Sequence, residues 1–118
     1  MKKIILVLTV ILLFGCKGEE KIPDHLLSKE QMISMLIRLH LLEGEVNQLK
    51  VRRDSANLVF KYFENRLFES KNIQDSLYLE TWAYYAEHPK VMEEIYAAVL
   101  DSLSLQERLL EERINQKD

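Results

Sequence analysis

The stretch Ser28-Lys29-Glu30-Gln31-Met32-Ile33-Ser34-Met35-Leu36-Ile37-Arg38-Leu39-His40-Leu41-Leu42-Glu43-Gly44-Glu45-Val46-Asn47-Gln48-Leu49 decides the fold class. Ser28 and Gln31 have the spacing of a capping box, in which the hydroxyl accepts from the N3 amide and the N3 side chain reaches back. Leu27 and Met32 occupy the two positions of a hydrophobic staple around that cap. Met32, Met35, Leu39, Leu42, Val46 and Leu49 then recur every three or four residues, the apolar stripe of an amphipathic helix. This predicts a first helix over 29–50. Gly44 falls inside it, at a cost of about 1 kcal/mol relative to alanine, and its small size leaves room for a neighbouring helix.

Outward from this stretch the same period continues. Residues 50–54 form a charged turn. Leu58, Val59, Tyr62, Phe63 and Leu67 predict a second helix over 55–70, and residues 71–73 a short connection. Tyr78, Thr81, Trp82 and Tyr85 mark one face of a third helix over 74–87. His88-Pro89 breaks it, and a proline suits the first turn of the next helix, where its missing N–H is not needed. Met92, Ile95, Tyr96, Val99 and Leu103 sit at core spacing on that fourth helix, which continues through Leu109, Leu110 and Ile114 with its last turns extending beyond the body. No segment alternates apolar and polar as a strand does. The expected fold is all-α, a small bundle of about four helices with short links.

Toward the N-terminus the pattern changes. Met1-Lys2-Lys3 is a basic start, and Ile4 to Phe14 is an apolar run broken by Thr9. Eleven residues fall short of the roughly 20 that span a bilayer core, and they match the apolar region of a secretory signal. Leu13-Phe14-Gly15-Cys16 follows and resembles a lipobox: aliphatic at −3, small at −1, cysteine at +1, with Phe14 bulkier than usual at −2. The resemblance implies diacylglyceryl transfer to the Cys16 thiol and cleavage before it. Residues 1–15 are thus read as a signal peptide, 16–23 as the lipidated cysteine with its tether, and 24–118 as a single helical domain. The alternatives are a free thiol at Cys16 and an uncleaved anchor helix. Cys16 is the sole cysteine, so no disulfide supports the core.

Lys17 at +2 is not the aspartate that resembles an inner-membrane retention signal, which favours the outer membrane. Lys17-Gly18-Glu19-Glu20 loosely resembles export signals of surface lipoproteins, so the periplasmic face and the cell surface both stay open. After residue 15 the chain keeps 14 Lys and Arg against 19 Asp and Glu. Such an acidic balance argues against nucleic acid, which needs a basic footprint.

From Ile22 onward the chain resembles a Bacteroidota family of small lipoproteins, number 4296 in the domain-of-unknown-function series. The residues that carry the resemblance are Ile22-Pro23, the run from Met35 to Glu43 ending in His40 and Glu43, and Tyr84-Tyr85 followed by Pro89 and Ile95-Tyr96, with Tyr78 and Thr81 before them. They cover about residues 22–103. Arg38 stands where the family pattern has an acid and Gly44 where it has alanine. The resemblance implies a fold and an envelope address, and no activity.

Candidate chemistry is sparse. His40 and Glu43 share a helix face as in metal-binding bundles, but those need further carboxylates from facing helices, and no second such pair occurs. Neither a metal nor a cofactor is expected. No phosphate-binding glycine loop, Ser-x-x-Lys or Gly-x-Ser-x-Gly motif is present, so an enzyme is not expected. The aromatic excess at Tyr78, Trp82, Tyr84, Tyr85 and Tyr96 is read mainly as core. Adjacent Tyr84 and Tyr85 cannot both face inward, however, and an exposed tyrosine suits a protein-binding hot spot. His40, Glu43, Trp82, Tyr84, Tyr85 and Tyr96 are therefore the candidate interaction surface. Lys50, Arg52 and Arg53 form a small basic cluster, read as a solvated turn or a contact for lipid headgroups or an acidic partner. The expected role is a non-catalytic interaction module of an envelope complex, with an envelope protein as partner and self-association through Leu103, Leu109, Leu110 and Ile114 as a further contact. A chaperone-like folding accessory is the alternative, and a metal-binding or enzymatic domain the third.

Overall fold

The computed structural model describes residues 1–4 and 21–117. Leu13, Phe14, Gly15 and Cys16, with the rest of residues 5–20, lie outside the described residues.

Residues 21–117 form four helices: α1 (Lys29–Asn47), α2 (Arg53–Lys71), α3 (Asp75–Ala86) and α4 (Pro89–Asn115). The described residues contain no strand, and the fold is all-α. Several helix ends have a local cause. Ser28 accepts from the Gln31 amide at 3.1 Å and Gln31 Oε1 accepts from the Ser28 amide at 2.9 Å, closing the capping box. Leu27 and Met32 of the staple are both buried. Asn72 ends α2 in the left-handed region at φ 53°, a conformation asparagine tolerates. Pro89 is the first residue of α4.

The helix ends differ from the sequence-based expectation by at most three residues. Leu49 falls outside α1 and is exposed. The chain turns at Lys50, which adopts a positive φ of 51°.

The first helix is central, packing on α4 and on α2, while α3 packs on α4. The core joins Leu27, Met32 and Leu36 to Tyr85 of α3 and to Ile95 and Val99 of α4. Each such apolar side chain removed from water contributes about 1.5–3 kcal/mol. Ile22 packs against this cluster as well. The segment before α1 turns at Pro23, where the Leu26 amide donates to the Pro23 carbonyl at 3.1 Å.

Two sequence expectations need correction. The face of α2 marked by Leu58, Tyr62 and Phe63 points outward: all three are exposed, and the buried residue of this helix is Phe68. The inward face runs through Phe60, Glu64, Leu67 and Phe68, and a charged residue in the middle of it breaks the apolar pattern. Gly44, in turn, admits no close neighbour. A Cβ placed there would meet nothing within 4 Å.

At a rise of 1.5 Å per residue α4 is about 40 Å long. Its first half is covered by α1 and α3. From Ser104 onward every described residue is exposed, so the last three turns project from the body.

Candidate functional site

The third helix positions the site. At about 100° per residue, Tyr78 and Trp82 share a face, while Tyr85 lies about 60° from Trp82 and Tyr84 about 160° from it. The two neighbouring tyrosines thus have different surroundings. Tyr85 is fully buried and donates its hydroxyl to the Leu27 carbonyl at 3.0 Å. One turn earlier Thr81, also fully buried, accepts from the Leu27 amide at 3.1 Å and donates to the Leu77 carbonyl at 2.8 Å. Thr81 and Tyr85 therefore clamp both backbone polar atoms of Leu27 and dock the segment before α1 onto α3. Among the described residues no buried side-chain polar atom lacks a partner. Tyr84, half-buried, stacks on His88 at 4.1 Å between ring centroids.

Tyr85 is thus a structural residue, and its place in the expected interaction surface is corrected. Tyr84 lies on a different side of α3 from Trp82. The remaining four candidates converge. His40 and Glu43 of α1, Trp82 of α3 and Tyr96 of α4 line one open groove, about 320 Å³ in volume. Leu36 and Leu39 of α1, Phe60 and Glu64 of α2, and Tyr78 and Leu79 of α3 complete it. All four helices contribute. Trp82 and Tyr96 meet edge to face, with centroids 6.2 Å apart, an arrangement favoured by the ring quadrupoles.

The groove has an apolar, aromatic floor and a polar rim. His40 Nδ1 lies 3.8 Å from Glu43 Oε2. Glu64 is largely buried and accepts from Lys61 Nζ at 2.9 Å, the hydrogen bond that chiefly raises the Lys61 pKa. Burial pushes the Tyr78 phenol above its ordinary value, with smaller contributions from Tyr96 and Glu64. No group of three or more His, Cys, Asp or Glu among the described residues is placed to hold a metal ion. What the groove offers chemically is shape, aromatic surface and a few rim hydrogen-bonding groups. This suits holding an apolar or aromatic side chain of another molecule.

Phe60, Glu64, Leu36 and Leu39 were not among the sequence candidates for the site. The signal that could have found them is the Phe60, Glu64, Leu67, Phe68 spacing on α2, once a charged residue is allowed on the inner face.

Fold and groove together define a small all-α domain in which four helices build a side-chain-sized hollow. The chain belongs to the family described as Domain of unknown function (DUF4296), whose model matches residues 23–108. The matched span contains the Leu27 clamp and the whole groove, and it stops within the projecting part of α4. No curated protein and no solved structure matches the chain.

Proposed function

We propose that this protein is a lipid-anchored outer-membrane lipoprotein acting as a non-catalytic interaction module of an envelope complex. The observation that carries the reading is the groove: three helices bring His40, Glu43, Trp82 and Tyr96 around one aromatic hollow that α2 completes. Aromatic residues partly exposed in a concave site are the usual anchors of protein interfaces. The anchoring half of the reading rests on Lys2-Lys3, the apolar run and Leu13-Phe14-Gly15-Cys16. Two or more acyl chains hold a protein stably on a bilayer without a span. Among the described residues, no helix is long and apolar enough to cross a membrane. The envelope of Bacteroidota is the proposed setting, with the domain on the periplasmic face or at the cell surface.

The test is capture of the protein from native membranes, beside Cys16→Ser and Trp82→Ala variants. A stoichiometric envelope protein is expected with the wild type. Cys16→Ser is expected to leave the membrane fraction. Truncating an interface anchor costs about 2 kcal/mol or more, so Trp82→Ala is expected to lose the partner while staying membrane-bound. Recovery of the wild type as a monomer with no stoichiometric partner overturns the interaction reading.

A second reading is favoured by Leu100, Leu105, Leu109, Leu110 and Ile114, all exposed on α4. A chaperone-like accessory would use such a surface to hold apolar segments of a client. Failure to suppress aggregation of an unfolded client removes it.

A further inference from the structure

We infer that the corner between α1 and α2 is a membrane-contact surface, seated on a leaflet that contains anionic phospholipid. Leu58 is 74% exposed, Tyr62 55% and Phe63 48%, because the opposite face of α2 is the one held by Phe60 and Phe68. These three form one patch: Tyr62 follows Leu58 by four residues, and the Tyr62 and Phe63 rings meet edge to face at 5.2 Å. Leu49 and Val51, both exposed, precede them in the turn at Lys50.

Basic side chains surround this apolar patch. Lys50, Arg52 and Arg53 follow one another with no acid between them. Arg66 donates to the Tyr62 hydroxyl at 3.0 Å and sits over its ring. Arg66 and Arg38 also line a hollow of about 240 Å³ whose apolar part includes Phe63 and Leu67. Two arginines beside apolar side chains offer donors to a phosphate headgroup and an apolar contact to the start of its acyl chains. The acids nearby are Glu45, which lines the same hollow, Asp54, and Glu69, whose charge acts on Arg66.

Charge also decides between the two exposed apolar surfaces of the molecule. Residues 38–71 carry seven Lys and Arg against five Asp and Glu, whereas residues 72–117 carry four against nine. In the projecting part of α4, Glu107, Glu111 and Glu112 offset Arg108, Arg113 and Lys117, so that surface carries no net positive charge to draw an anionic leaflet, whereas the α1–α2 corner does. Interfacial tyrosine, buried apolar side chains and Lys or Arg at headgroup level are the three attractions such contacts use.

The inference rests on the tethered part of the proposed function, which would hold the corner near a bilayer. Its test uses the full chain, purified from membranes and incorporated into vesicles of phosphatidylcholine alone or mixed with phosphatidylglycerol. Flotation with pure phosphatidylcholine vesicles reports the anchor, and Cys16→Ser should abolish it. Amide hydrogen exchange reports the surface. Exchange over residues 49–63 is expected to slow on the phosphatidylglycerol vesicles relative to phosphatidylcholine, and exchange over 104–116 to stay unchanged. Each basic residue near an anionic leaflet strengthens attachment about fivefold, so Arg52→Glu with Arg53→Glu should remove the protection, as should raised salt. Leu58→Ser, at a solvent-facing position, should weaken it with the helical content intact. Equal exchange over 49–63 on both vesicles, while the wild type still floats, overturns the surface and leaves the anchor standing. Protection that survives the double charge reversal also overturns it.

Discussion

Leu27 presents its amide to the Thr81 hydroxyl and its carbonyl to the Tyr85 hydroxyl. In a water-free core each of these backbone atoms needs its partner, because an unpaired one loses hydration with nothing in return. Thr81→Val and Tyr85→Phe should each destabilise the fold by about 1–3 kcal/mol, seen as a lower urea midpoint with unchanged slope. Neither should alter binding at the groove, since Thr81 and Tyr85 do not line it. At Gly44 the expected sign is opposite. The position is helical and faces open space, so Gly44→Ala should stabilise by about 0.5–1 kcal/mol, read in the same titration. Both sites show where residue-level reading stops. A tyrosine beside a threonine one turn earlier looks the same in sequence whether it binds a partner or clamps the chain's own backbone. A glycine in a helix looks the same whether a neighbour approaches it or not.

At the scale of the element, α2 is where periodicity misled. Leu58, Val59, Tyr62, Phe63 and Leu67 make a good stripe, yet most of it faces water. The inner face carries Phe68, which meets Tyr78 edge to face at 5.3 Å, and it also carries Glu64. A carboxylate is acceptable there because it reaches the groove rim and Lys61. Phe68→Ala should therefore cost about 3–5 kcal/mol, while Leu58→Ala should change stability by no more than about 0.5 kcal/mol. Thermal or urea unfolding of the two variants checks this. Nearly equal losses would restore the sequence-based face. The other three helices were legible because their core positions carry no such interruption: Met32 and Met35, Thr81 and Tyr85, and Ile95 and Val99 lie on the stripes read from sequence and are buried.

For the whole molecule, the buried phenols give a pH dependence. Burial raises the Tyr78 and Tyr85 pKa values above the usual 10.0. The unfolded chain then loses these protons at lower pH than the folded protein does. Their contribution is fully present below about pH 10 and is lost as pH rises through 10 toward the folded values. Unfolding free energy measured between pH 9 and pH 11 should fall, and Tyr78→Phe should flatten the fall. A stability that rises over that range contradicts the burial of both rings.

The one-dimensional chain determined what local chemistry determines. Helical spacing, the Ser28–Gln31 cap and Pro89 each act within a few residues, so the all-α class and four helices could be read directly. The tertiary structure alone decided which of two faces of α2 turns inward, whether Gly44 meets a neighbour, and which aromatics share a hollow. These outcomes depend on segments far apart in sequence meeting, as where Leu27 bonds Tyr85 or where His40 and Trp82 line one groove. No local pattern encodes such a meeting, because the free energy that selects it comes from packing all four helices at once.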